Sequence, residues 1–70
     1  MKRQRLFLER VRRGLTQEQV AKQVGISRKG YSHIETARRG ASTEVWDALE
    51  DLFKVDQREL RAISDAREAG

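Results

Sequence analysis

The stretch QEQVAKQVGISRKGYSHIET, residues 17–36, decides the fold, because it reads as two short helices joined by a tight turn. Thr16 stands just before it and Gln19 three residues on, the Thr-x-x-Gln spacing of a capping box that starts the first of these helices. Gly25 stops that helix, since glycine takes the left-handed conformation without a Cβ penalty, and Ser27 N-caps the next. The turn spans Val24 to Ile26. Apolar residues at Val20, Val24, Ile26, Tyr31 and Ile34 give both helices a side to bury in a common core, and Ala21 is small enough for a close crossing. Two helices so arranged form a helix-turn-helix, whose second helix enters the major groove of double-stranded DNA.

On a helical wheel Tyr31 and Ile34 point inward, while Lys29, Ser32, His33 and Thr36 point away from them. Arg28 lies on the flank of the first turn, the part of a recognition helix that goes deepest into the groove, where an arginine bonds bidentately to guanine O6 and N7. Position on this face separates Arg28 and Lys29 from Lys22, Lys54, Arg58, Arg61 and Arg67, which read as solvated cations. His33 has three readings: a base donor, an exposed side chain, or a pH-sensitive contact. Tyr31 falls in the apolar series, so its ring belongs in the core with its hydroxyl at the rim.

These residues resemble the Cro/repressor-type helix-turn-helix regulators, the Xre family. The resemblance runs from Arg10 through Gly14, Leu15, Thr16 and Gln17, over Ala21, Gly25 and Ser27 to Ile34 and Glu35, then into a helix around Trp46 to Leu52. It implies an all-α, compact five-helix lambda-repressor-like domain, with the helix-turn-helix formed by helices 2 and 3, that binds operator DNA as a dimer. Residue by residue, it places Arg28, Lys29, Ser32 and His33 at base edges, and Gln17, Ser27, Thr36, Arg38 and Arg39 at phosphates. Arg10 and Glu35 match an ion pair tying helix 1 to helix 3, a structural role whose loss on one side would cost about 3 to 5 kcal/mol. The chain departs from the family at Thr36 and Ala37, where asparagine and glycine are common. Without that glycine, helix 3 is expected to run on toward Arg39 and stop at Gly40. Gly30 inside helix 3 and Glu9 at a usually apolar position also depart, which assigns the buried face of helix 1 to Leu6, Phe7 and Val11.

Outward from the motif, nothing predicts a strand, and the fold class is all helix. Helix 1 covers Arg3 to Arg13 and closes at Gly14. Ser42 N-caps a fourth helix carrying Val45, Trp46, Ala48, Leu49, Leu52 and Phe53, and Asp56 with Glu59 starts a last one carrying Leu60 and Ile63. Val45 and Trp46, being adjacent, cannot point the same way, so one side of helix 4 is expected to feed an interface. One domain is expected over residues 1–64, with 65–70 a frayed tail. With no cysteine and one histidine, thiolate metal sites and disulfides are excluded, and neither a metal nor a cofactor is expected. No apolar run suits a membrane span or a secretory signal, so the expected location is the cytoplasm.

The net charge of +4 is unevenly placed. Residues 1–40 hold 11 Lys and Arg against 3 Asp and Glu, whereas residues 41–70 hold 4 against 8. Lys2, Arg3, Arg5, Arg28, Lys29, Arg38 and Arg39 would supply attraction to phosphate, and the acidic half would face away. Asp47, Glu50 and Asp51 lack a nucleophile or metal partner, so no enzyme is expected. The leading expectation is a sequence-specific regulator, a phage, mobile-element or bacterial repressor, dimeric through Phe53 to Ile63 on a palindromic operator with half-sites about 34 Å apart. The alternative is an antitoxin or interaction module whose acidic C-terminal half binds a partner protein. RNA is disfavoured by the lack of exposed aromatic pairs.

Overall fold

The computed structural model describes residues 2–63; Met1 and residues 64–70, including the frayed tail expected at 65–70, lie outside the described residues. Five helices follow in order: α1 (Gln4–Arg12), α2 (Gln17–Val24), α3 (Arg28–Glu35), α4 (Thr43–Phe53) and α5 (Gln57–Arg61). Local chemistry sets most boundaries. The Thr16 hydroxyl accepts from the Gln19 N–H and the Gln19 side chain returns to the Thr16 N–H, which closes the capping box. Gly25 ends α2 at φ 79°, and Ser27 and Ser42 cap α3 and α4. Asp56 caps α5 through the Arg58 N–H rather than through a box with Glu59.

The end of α3 differs from the sequence expectation. The helix stops at Glu35, and Ala37 adopts φ 62°, doing what a glycine would otherwise do. The Ala37 N–H donates to the Ile34 carbonyl (3.1 Å) and the Arg38 N–H to the His33 carbonyl (2.8 Å), the two bonds of a Schellman motif. Closing those carbonyls outweighs the steric cost of a left-handed alanine, so the helix does not reach Gly40.

The core is Leu6, Val20, Ala21, Tyr31, Ile34, Trp46, Leu49, Phe53 and Leu60. Full burial of each large apolar side chain contributes about 1.5 to 3 kcal/mol. Val24, Ile26, Val45 and Leu52 pack against its edge, so Val45 and Trp46 both serve the core side of α4. Ile63 lies beyond α5 and is exposed, unlike Leu60.

Helix α1 buries a different face from the expected one. Leu6 is inside, but Val11 is 49% exposed and Phe7 only half-buried, while Glu9 is buried. Glu9 is tolerated because Arg5, Arg12 and Arg13 converge on its carboxylate. The Arg13 and Arg5 hydrogen bonds lead in holding its carboxyl below the usual range, against burial. Arg13 also donates to the Phe53 carbonyl at 2.8 Å, fastening α1 to the end of α4.

Candidate nucleic-acid interface

Helix α3 turns Tyr31, Ile34 and Glu35 inward, leaving Arg28 and Lys29 exposed and Ser32 and His33 half-buried. Arg38 and Arg39 are exposed on the turn that follows. None of these four cations has a carboxylate within 4 Å among the described residues. Unpaired guanidinium and ammonium groups at both ends of one helix give a surface suited to a polyanion.

The orientation of α3 is fixed from beneath by Glu35. Arg10 Nε and Nη2 reach its two carboxylate oxygens at 2.8 and 3.0 Å, and the Tyr31 hydroxyl donates at 2.7 Å. Arg10 Nη1 also donates to the Leu15 carbonyl at 2.8 Å, so one guanidinium joins α1, the turn before α2, and α3. Burial alone would raise the Glu35 carboxyl, but the bonds from Arg10 and Tyr31 outweigh it and its pKa is lowered. Burial and the neighbouring Glu35 raise the Tyr31 phenol well above its ordinary value.

The residues assigned to phosphate have unequal freedom. The Ser27 hydroxyl accepts from the Gly30 N–H at 3.0 Å, which leaves its own proton to donate. Gln17 Nε2 lies 3.3 Å from Glu35 Oε1, a bond that occupies one amide proton and leaves the second. The Thr36 hydroxyl instead donates to the Ser32 carbonyl at 2.8 Å, so its proton is spent within the helix. Gly30 serves the cap, since a Cβ there would meet Ser27 Oγ at 3.1 Å and no other group outside its own helix turn.

Two members of the expected phosphate-attracting set are engaged elsewhere. Arg3 is buried, and Arg5 is held by Glu9 (2.7 Å) and Glu59 (2.9 Å). Sequence reasoning missed the buried roles of Arg3 and Glu9. The spacing of Arg5, Glu9 and Arg13 at intervals of four along one helix was a usable signal for Glu9; Arg3 had none, because its partners are distant in sequence.

Two helices set across a glycine-closed turn, the second packed on α2 and α1 and presenting its outer side, define the helix-turn-helix class of DNA-binding domain. The family model described as helix-turn-helix domain matches residues 4–63, and the chain belongs to that family. No curated protein and no solved structure matches the chain significantly. Among the described residues no helix is long and apolar enough to cross a membrane.

Proposed function

We propose that the chain is a sequence-specific transcriptional regulator of the Cro/repressor, or Xre, type, a repressor that acts in the cytoplasm as a binding module and not as an enzyme. The observation that carries this reading is the set of unpaired cations on α3 and its following turn, Arg28, Lys29, Arg38 and Arg39, above a buried network that fixes the helix. Arg28 and Lys29, with Ser32 and His33, read base edges. Arg38 and Arg39, helped by Ser27 and Gln17, hold phosphates.

Dimerisation through Phe53 to Ile63 has less apolar surface than the sequence suggested, because Phe53 and Leu60 are spent in the core. Exposed Ile63 and half-buried Val55 are what that segment can offer a second copy. Selection from a random pool of duplexes tests the reading. Enrichment of a palindrome with half-sites one helical turn apart, about 34 Å, supports a dimeric repressor. An unenriched pool with folded protein counts against sequence-specific recognition, and a monomer on DNA at high concentration removes the dimer.

The antitoxin-like alternative is favoured by one feature, the exposed acidic residues Glu44, Asp47 and Asp51 along the outer side of α4. Stoichiometric copurification with the product of a neighbouring gene would select it.

A further inference from the structure

Arg3 is a buried cation with no carboxylate partner among the described residues. Its guanidinium is satisfied by main-chain carbonyls instead. Nη1 donates to Ile34 O and to Arg39 O (2.9 Å), and Nε donates to Arg61 O (3.1 Å). The Arg3 backbone N–H adds a bond to Glu35 O at 2.9 Å, and the guanidinium carbon sits 5.2 Å from the centre of the Trp46 ring.

The positive charge therefore lies where the last carbonyls of α3 converge, the negative end of that helix. Filling this space would not require an arginine. Burying a charge is costly, and an apolar side chain could cover Trp46 without that cost. One nitrogen of the guanidinium fork, Nη1, holds both the end of α3 and the turn beyond it, while Nε anchors the group to the Arg61 carbonyl; an apolar group has no donor, and a lysine ends one bond short of Nη1. The held atom in that turn is the carbonyl of Arg39, a residue whose exposed side chain is the proposed phosphate contact.

We propose that Arg3 is a positioning residue for DNA binding, fixing the backbone of the α3–α4 turn so that Arg39 meets phosphate in a set register with α3. It acts through Arg39 and does not touch DNA. A turn ordered before binding spares the complex the entropic cost of ordering it afterwards. This inference rests on reading Arg39 as a phosphate contact.

The test compares wild type, Arg3→Gln, Arg3→Lys, Arg39→Ala and the Arg3→Gln/Arg39→Ala double variant. Binding to a selected duplex and to a scrambled one is measured from about 50 to 200 mM salt, at a temperature where circular dichroism shows the variants folded. Arg3→Gln should weaken both duplexes alike and reduce the salt slope by about one, so that its deficit relative to wild type changes about fourfold across that range. Arg3→Lys keeps the charge but not the fork and should show the same loss. Adding Arg39→Ala to Arg3→Gln should cost nothing further. Unchanged affinity and slope in folded Arg3→Gln, full rescue by Arg3→Lys, or additivity with Arg39→Ala would each overturn the proposal. No effect of Arg39→Ala alone would overturn the phosphate reading beneath it. Should the Arg3 variants not fold, nitrogen-15 relaxation of the wild-type chain decides: the Arg38 and Arg39 amides should be as ordered without DNA as those of α3, and nanosecond mobility there would overturn the proposal.

Discussion

Replacing Ala37 by glycine should stabilise this domain, the reverse of what glycine does inside a helix. Ala37 sits at φ 62°, with its N–H and that of Arg38 bonded back to Ile34 and His33. An L residue held left-handed carries about 1 to 2 kcal/mol of steric strain, which glycine removes. Glycine also frees the unfolded chain by about 0.4 to 1 kcal/mol, which acts in the opposite direction. The remainder is a net stabilisation of about 0.5 to 1 kcal/mol. For a domain of this size each kcal/mol moves Tm by about 4 to 8 °C, so the midpoint should rise by about 2 to 8 °C. Thermal unfolding followed by circular dichroism measures it, with Ala21→Gly as the control. Ala21 is buried in the middle of α2, where the same change removes packing and costs about 1 kcal/mol or more. A midpoint that falls for Ala37→Gly, in a chain that keeps its helical signal, would refute the left-handed end of α3.

Acid should destabilise the fold in a defined direction. Glu9 and Glu35 both have lowered pKa values in the folded chain, so their stabilisation is complete above the unfolded carboxylate value of about 4.3 and is lost as pH falls through their folded values. Thermal midpoints should be level from neutrality to about pH 5 and fall below about pH 4, less steeply in Glu9→Gln; a midpoint that rises on acidification contradicts the two networks. Tyr31 is the chain's only tyrosine, and its phenol is raised by burial and by Glu35. Absorbance of the phenolate should therefore be missing at pH 10 and arrive together with alkaline unfolding, whereas half-ionisation near pH 10 in a folded chain would show an open hydroxyl.

The helix-turn-helix was legible because its determinants are local. A threonine three residues before a glutamine, a glycine at the end of α2 and serines before α3 and α4 mark boundaries whatever the rest of the chain does. The inward positions of α2 and α3 followed from helical spacing, and the exposed cations of α3 from the same wheel. Helix α1 was misread because apolar character alone assigned its inner face. Its charged positions bury better than Val11, since three arginines satisfy Glu9 and one of them also reaches the end of α4. The stop of α3 was misread for a related reason. Its left-handed residue is chosen by carbonyls that close two hydrogen bonds, and by Arg3 binding the helix end from 31 residues away. No window of sequence around Ala37 contains that partner.

The claim that α3 reads base edges is tested most directly by the discrimination of wild type and Arg28→Ala between a selected duplex and its scrambled counterpart, at one fixed salt concentration. Loss of a bidentate guanine contact should reduce discrimination by about 1 to 3 kcal/mol, while Arg39→Ala weakens both duplexes equally and leaves discrimination intact. Equal discrimination by wild type and Arg28→Ala, both folded, would contradict the assignment of Arg28 to the base edge.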